Sequence, residues 1–241
     1  MARRIALIGG AGGIGRVLAR ELAAAGDAVI VLDLAASLER HGVEGIAVDL
    51  KSEASIEEAF ADLAKCGPLA GFVNLAGYNA ELIPLAETPT DYFDDIIAGN
   101  LRGAFLAARA AIPLLVGPDA AMVMVASGLA QHVRPGYTGY AASKAALIAM
   151  TKTLALECAP AIRINAVAPG LVDTAFVRGG TGRSDESAAS VVDFAAYSAM
   201  TPLGRVATPE DVTGPIRFLL GPDSGFMTGQ VLWINGGGYM P

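Results

Sequence analysis

Seven short apolar runs, most of them separated by a longer helix-like stretch, constrain this chain more than any other feature of it. The runs are Arg3–Ile8, Ala28–Asp33, Gly45–Val48, Gly71–Asn74, Ala121–Ala126, Arg163–Val167 and Val231–Ile234. Most are continuously apolar rather than alternating, which predicts strands buried on both faces, as in a parallel sheet held between helices. Helix-like stretches fall at Ile14–Ala25, Ile56–Ala64, Tyr92–Leu115, Gly139–Glu157 and Pro209–Leu219. The expected fold is α/β: a doubly wound, mainly parallel, seven-stranded sheet with helices on both faces, whose ligands lie beyond the carboxyl ends of the strands. No Pro/Ser-rich linker or internal repeat divides the 241 residues, and 53% hydrophobic content supplies one sizeable core, so residues 1–241 are expected to form a single domain.

The formal net charge of −7 opposes phosphate backbones and anionic lipid surfaces, so nucleic acid and membrane are not expected partners. Arg3 and Arg4 precede an apolar run in the manner of a secretory leader, but Gly9 to Gly15 and then Arg16 and Arg20 interrupt it. Cys66 and Cys158 stand far apart and outside any CxxC arrangement, so they are expected to pack as small apolar groups. No metal site is expected, and a reducing cytoplasm suits the composition.

Ile8-Gly9-Gly10-Ala11-Gly12-Gly13-Ile14-Gly15 joins the first strand to the first helix. Glycines let backbone N–H groups approach a pyrophosphate, and the positive end of the helix dipole favours its charge. The run fits GxGxxG through Gly10, Gly12 and Gly15, and equally GxxxGxG through Gly9, Gly13 and Gly15. Asp33 ends the second strand, where a carboxylate can accept hydrogen bonds from an adenosine ribose. The same carboxylate would repel the 2′-phosphate of NADP, and neither Leu34 nor Ala35 offers a compensating cation, so NAD is the expected cofactor.

Tyr140-Ala141-Ala142-Ser143-Lys144 opens a helix-like stretch, and a spacing of four places the tyrosine and lysine on one face. A neighbouring ammonium is expected to lower the tyrosine pKa toward the range useful for proton exchange. Ser127 lies thirteen residues before Tyr140.

Taken together, the glycine loop, Tyr140 and Lys144, Ser127, Asn74-Leu75-Ala76-Gly77 and Asn100 resemble the short-chain dehydrogenase/reductase family. The resemblance continues through Asn165 to Gly170, Pro202 to Arg205, Gly229-Gln230 and Asn235 to Gly237. It implies a Rossmann-type fold in which Gly9, Gly13 and Gly15, with Ile14 between the last two, form the cofactor loop. It further implies that Tyr140 is the general acid/base, that Lys144 binds the nicotinamide ribose while depressing the tyrosine pKa, and that Ser127 positions the substrate oxygen. Asn100 would support a water-linked proton relay. Asn74, Ala76 and Gly77 would line the adenosine side, Asp49 and Leu50 would contact adenine, and Val172 and Thr174, after Pro169-Gly170, would hold the carboxamide. Ile8 stands where the family often has threonine, and Leu75 where it often has a second asparagine.

The function implied is hydride transfer between NAD and a secondary alcohol or ketone, in a homotetramer built through the two long helices and the C-terminal region. A 3-oxoacyl thioester reductase shares every motif, and a nicotinamide-binding sensor without turnover is the alternative from another class. Residues 175–200 include Gly179, Gly180 and Gly182 and then a helix-like stretch from about Ser184, with Val191, Phe194, Ala195 and Ser198 on one face, which predicts a substrate lid. Leu129, Tyr137, Phe194 and Tyr197 are the expected pocket walls, suited to an apolar substrate, cyclic or aromatic. His41, His132, Arg178 and Arg183 are expected at the surface, and Trp233 in the core or an interface.

Overall fold

A computed structural model describes residues 2–79, 81–178, 190 and 192–241. Seven strands, β1 (Arg4–Ile8), β2 (Ala28–Asp33), β3 (Ile46–Ala47), β4 (Gly71–Asn74), β5 (Ala121–Val125), β6 (Arg163–Pro169) and β7 (Val231–Ile234), form one sheet in the order β3-β2-β1-β4-β5-β6-β7. Every pairing is parallel. The order reverses direction between β1 and β4, which opens a crevice beyond their carboxyl ends.

The continuous apolar character of the strands is explained by the two cores they feed. In β1, Ala6 and Ile8 join the core on one face while Ile5 and Leu7 join that on the other; in β5, Met122 and Met124 oppose Ala121, Val123 and Val125. The first face is covered by α3 (Glu53–Lys65), α5 (Gly103–Ala111) and α6 (Thr138–Cys158). The second is covered by α1 (Gly13–Ala24) and α8 (Pro209–Leu220). Local signals set several helix ends: Ser52 accepts from Ser55 N at the start of α3, and Thr208 with Asp211 forms a capping box ahead of α8.

The structure differs from the sequence expectations at two places, and a third expectation falls mostly outside the described residues. A seven-residue helix, α2 (Ala35–His41), follows β2; it has no side-chain cap at its start, and it ends at Gly42, whose φ of 59° only glycine adopts at no cost. The stretch expected as one helix over Tyr92–Leu115 is α4 (Thr90–Ile97), a π-helical turn at Ala98–Arg102, α5, and a final 3₁₀ turn at Ile112–Leu114. Of the helix-like stretch expected from Ser184, residues 184–189 and 191 lie outside the described residues, as do Gly179, Gly180, Gly182 and Arg183; α7 (Phe194–Met200) starts at Asp193, whose carboxylate accepts from Ala195 N and Ala196 N.

Candidate active site

The crevice at the β1/β4 reversal is a cleft of about 1100 Å³. It begins at the glycine loop. Gly12 precedes α1 without any side-chain cap, and no acidic residue occupies the helix's first turn, so the amides of Gly13, Ile14 and Gly15 present an unneutralised positive helix end to the cleft. A side chain would close this cradle: a Cβ on Gly9, where φ is +80°, would lie 2.7 Å from Ala76 N, and one on Gly13 would lie 2.7 Å from Thr174 Cγ2. The loop fits a pyrophosphate for that reason.

Asp33 lines the same end of the cleft and is bound into the loop. Its Oδ2 accepts from Ala11 N (2.9 Å) and its Oδ1 from Leu34 N (2.8 Å). Burial raises its pKa, while those two amides, the Ser37 side chain and the charge of His41 pull the other way. Leu50, Ala76, Gly77, Pro169, Gly170, Val172 and Thr174 also line the cleft. Asp49 and Asn74 do not. Asp49 Oδ1 turns back to Lys51 N (2.9 Å), leaving Val48 and Leu50 to face the cleft, and Asn74, 1% exposed, accepts from Ala76 N (3.1 Å) beneath the wall.

At the other end, α6 brings Tyr140 and Lys144 into one buried cluster with Ser127, which follows β5. Lys144 Nζ lies 5.7 Å from the centre of the Tyr140 ring and donates to Val125 O at 2.9 Å. Ser127 Oγ accepts from Leu129 N at 3.2 Å and is close enough to the tyrosine hydroxyl to favour its anion. The expected depression of the Tyr140 pKa is not what the chain alone produces. Burial dominates and pushes the phenol well above its ordinary value, with Tyr137 adding to the rise and Ser127 offsetting part of it. The same burial lowers Lys144 to about 8, because water is lost around an ammonium whose neighbour is neutral.

Asn100 sits in the π turn, below the cleft surface. Its Oδ1 accepts from Tyr78 N (2.9 Å) and its Nδ2 donates to Tyr78 O (2.8 Å), so it grips the backbone just after Gly77. Of the expected pocket walls, Leu129, Tyr137 and Tyr197 line the cleft and Phe194 does not. Asp193, as helix cap, fixes the start of α7, and Ala196, Tyr197 and Met200 are the α7 residues that reach the cleft. The aromatic ring beside Tyr140 is instead Phe176, at 5.7 Å between centres, opposite Tyr137 at 6.4 Å. His132, expected at the surface, is half-buried in the cleft wall and stacked on Tyr239. Phe176 belongs to the 175–200 segment expected as the lid, in a 3₁₀ turn at Ala175–Arg178, though the sequence did not single it out; nothing local marked Tyr239, which the turn after β7 brings back.

Comparison with known proteins identifies the family. The family profile described as enoyl-(acyl carrier protein) reductase matches residues 9–239. The chain is 35% identical to the 4-formylbenzenesulfonate dehydrogenase of Comamonas testosteroni, an alignment covering 98% of this chain and 97% of the relative. Among solved structures, a short-chain dehydrogenase/reductase of the glucose/ribitol dehydrogenase type from Brucella melitensis superposes with a TM-score of 0.89 at 29% identity, covering 99% of this chain and 97% of the other. A 3-ketoacyl-(acyl-carrier-protein) reductase from the same organism, complexed with NADH, gives 0.86 at 27% identity over 99% and 98%. The chain belongs to the short-chain dehydrogenase/reductase family and is an oxidoreductase of that family. Among the described residues no helix is long and apolar enough to cross a membrane, and no cluster of His, Cys, Asp and Glu could hold a metal ion.

Proposed function

We propose that this protein is an NAD-dependent dehydrogenase or reductase of a secondary alcohol or ketone, with Tyr140 as general acid/base. The observation that supports it is the joining of the glycine cradle and the Ser127–Tyr140–Lys144 cluster by one continuous cleft. Gly9, Gly13, Ile14 and Gly15 would hold the pyrophosphate, Asp33 the adenosine ribose, Leu50, Ala76 and Gly77 the adenosine side, and Pro169, Gly170, Val172 and Thr174 the carboxamide. When bound, the nicotinamide supplies two-electron chemistry at the substrate carbon.

The chain's own residues manage the oxygen. Ser127 hydrogen-bonds it as its charge changes, and Tyr140 gives or takes its proton. Lys144, about 3% exposed at the cleft wall and mostly protonated below pH 8, would hold the ribose, and its ammonium would favour tyrosinate. Asn100 serves by holding Tyr78 and Gly77 in place. Leu129, Tyr137, Phe176 and Tyr197 make walls that suit a cyclic or aromatic substrate, as does the aromatic aldehyde named for the Comamonas relative.

Reduction of a 3-oxoacyl thioester on an acyl carrier would call for a basic dock beside the cleft. The charged residues lining it are mixed: Arg134 and Arg178 stand with Glu81 and Asp193, which favours a free small molecule. A homotetramer is the proposed assembly, and a monomer by light scattering at micromolar concentration would refute it.

The test is to follow nicotinamide absorbance with NAD and a panel of cyclic, aromatic and β-hydroxy alcohols, in the parent and in Tyr140→Phe. The variant should lose on the order of 10² to 10⁴ in kcat yet still bind NAD. Near-normal turnover in the variant removes Tyr140 from the mechanism.

A further inference from the structure

Tyr239 lies two residues from the end of the sequence and is used by none of the steps above. A turn brings it back over the site: Asn235 Nδ2 donates to Tyr239 O at 2.8 Å, and Asn235 Oδ1 accepts from Gly237 N at 2.9 Å. The Tyr239 ring is fixed on two sides. It stacks on His132, with centres 4.9 Å apart and planes within 3°, and meets Trp233 of β7 edge-on at 5.6 Å. Burial raises the pKa of its phenol, with Asn235 easing the effect, and its Oη makes no hydrogen bond of ordinary geometry.

A buried hydroxyl without a well-formed hydrogen bond is costly, so its position calls for a reason. Gly128 supplies one. A Cβ on Gly128 would lie 2.9 Å from Tyr239 Oη and 3.1 Å from its Cε1, so the phenol occupies the space a side chain at 128 would need. Gly128 opens the 3₁₀ turn that Ser127 caps, and His132 N donates to Gly128 O at 2.9 Å. The stack therefore bears on this turn at both ends: Tyr239 packs against Gly128, and His132, whose backbone N–H closes the turn onto Gly128 O, carries the ring that Tyr239 stacks on. Both residues also line the cleft.

We propose that the Tyr239–His132 stack is a positioning and specificity device: it holds the turn that aims the Ser127 hydroxyl, and it forms the wall that limits how large a ring the cleft accepts. This rests on the function proposed above, since it concerns the substrate end of the same site. Because the role of Tyr239 is packing rather than hydrogen bonding, Tyr239→Phe should keep turnover near the parent's. Tyr239→Ala should remove both grip and wall. A small misplacement of a positioned group costs one to two powers of ten, so its kcat on the smallest accepted ketone should fall roughly tenfold, while kcat/KM for a substrate larger by one ring rises relative to the small one.

The experiment combines these variants with Gly128→Ala and the double variant Gly128→Ala/Tyr239→Phe. Two readouts accompany turnover: NADH affinity by titration, and the emission of Trp233, the sole tryptophan, with a non-reactive aromatic acid added to the cofactor-free protein. The proposal expects NADH affinity within about twofold of the parent's in every variant, loss in Gly128→Ala that Tyr239→Phe partly restores, and a ligand-dependent change in Trp233 emission that Tyr239→Ala abolishes. It is overturned if Tyr239→Ala keeps both the parent's kcat and its ring-size preference, if Tyr239→Phe gives no relief of Gly128→Ala, or if Trp233 emission ignores the ligand. An inactive parent that still shows the Trp233 response refutes the proposed function and leaves the wall standing. Should Tyr239→Ala fail to fold, His132→Phe, which retains a stacked ring, and His132→Ala, which does not, provide the same contrast.

Discussion

Lys144 should weaken the protein it serves. A lysine whose pKa is about 8 in the fold and 10.5 in the unfolded chain binds its proton more readily when unfolded. The lowered pKa therefore costs stability at every pH below about 8, and the cost fades as pH rises from 8 toward 10.5, where both states lose the proton. At pH 7 the difference corresponds to about 3 kcal/mol. Replacing Lys144 by Met removes the buried charge but deprives Val125 O of its 2.9 Å donor, a loss of about 1 kcal/mol. Lys144→Met should accordingly be more stable than the parent by about 2 kcal/mol, which raises Tm by about 4 to 8 °C for a chain of this length. The assay is thermal unfolding of cofactor-free protein at pH 7 and pH 10, beside turnover. The gain should shrink at pH 10, and activity should be lost at both. Saturating NAD should also stabilise the parent more than the variant, because the cofactor gives Lys144 a partner. A variant less stable than the parent at pH 7 would refute the reasoning.

Further outcomes follow from the cleft. The parent should prefer NAD over NADP by at least about 10²-fold in kcat/KM, and Asp33→Ser with Leu34→Arg should narrow or reverse this; equal use of NADP by the parent would remove Asp33 from cofactor choice. Since Asp33 also holds the Ala11 and Leu34 amides, the double variant should lose affinity for NAD as well, measured by titration. Phe176→Ala should raise KM for an aromatic substrate severalfold whereas Phe194→Ala should leave it unchanged, because Phe176 packs on Tyr140 and Phe194 is not among the residues lining the cleft; the opposite pattern would make Phe194 the pocket wall.

The sheet was legible because burial on both faces leaves an unbroken apolar signature, and the strands fall within two residues of where that signature puts them. The glycine loop, Asp33 and the Tyr140–Lys144 pair were legible because each contact spans a few residues or follows a strand end. What escaped was either weakly marked or distant. The helix α2 is seven residues long with no side-chain cap, so it left no start signal. The stack of His132 on Tyr239 joins residues more than a hundred apart, and no periodicity reports such a meeting. The rise in the Tyr140 pKa of the cofactor-free chain was not legible, because spacing reveals a neighbouring charge but not the loss of water around both groups.

The π turn at Ala98–Arg102 sets a limit on how this chain can change its length. Such a turn holds one residue more than α winding requires, and each residue in a helix swings everything after it by about 100°. Losing a single residue there would let the helix close regularly, but at the expense of register: Asn100 would leave Tyr78, or Ala104, Ala107, Ala108 and Ala111 would rotate out of the core. Substitutions that spare Gly99, where a Cβ would lie 2.6 Å from the Tyr78 ring, and Asn100 can be absorbed here while a one-codon deletion cannot, so among related sequences the segment's length should be more uniform than the residues at its other positions.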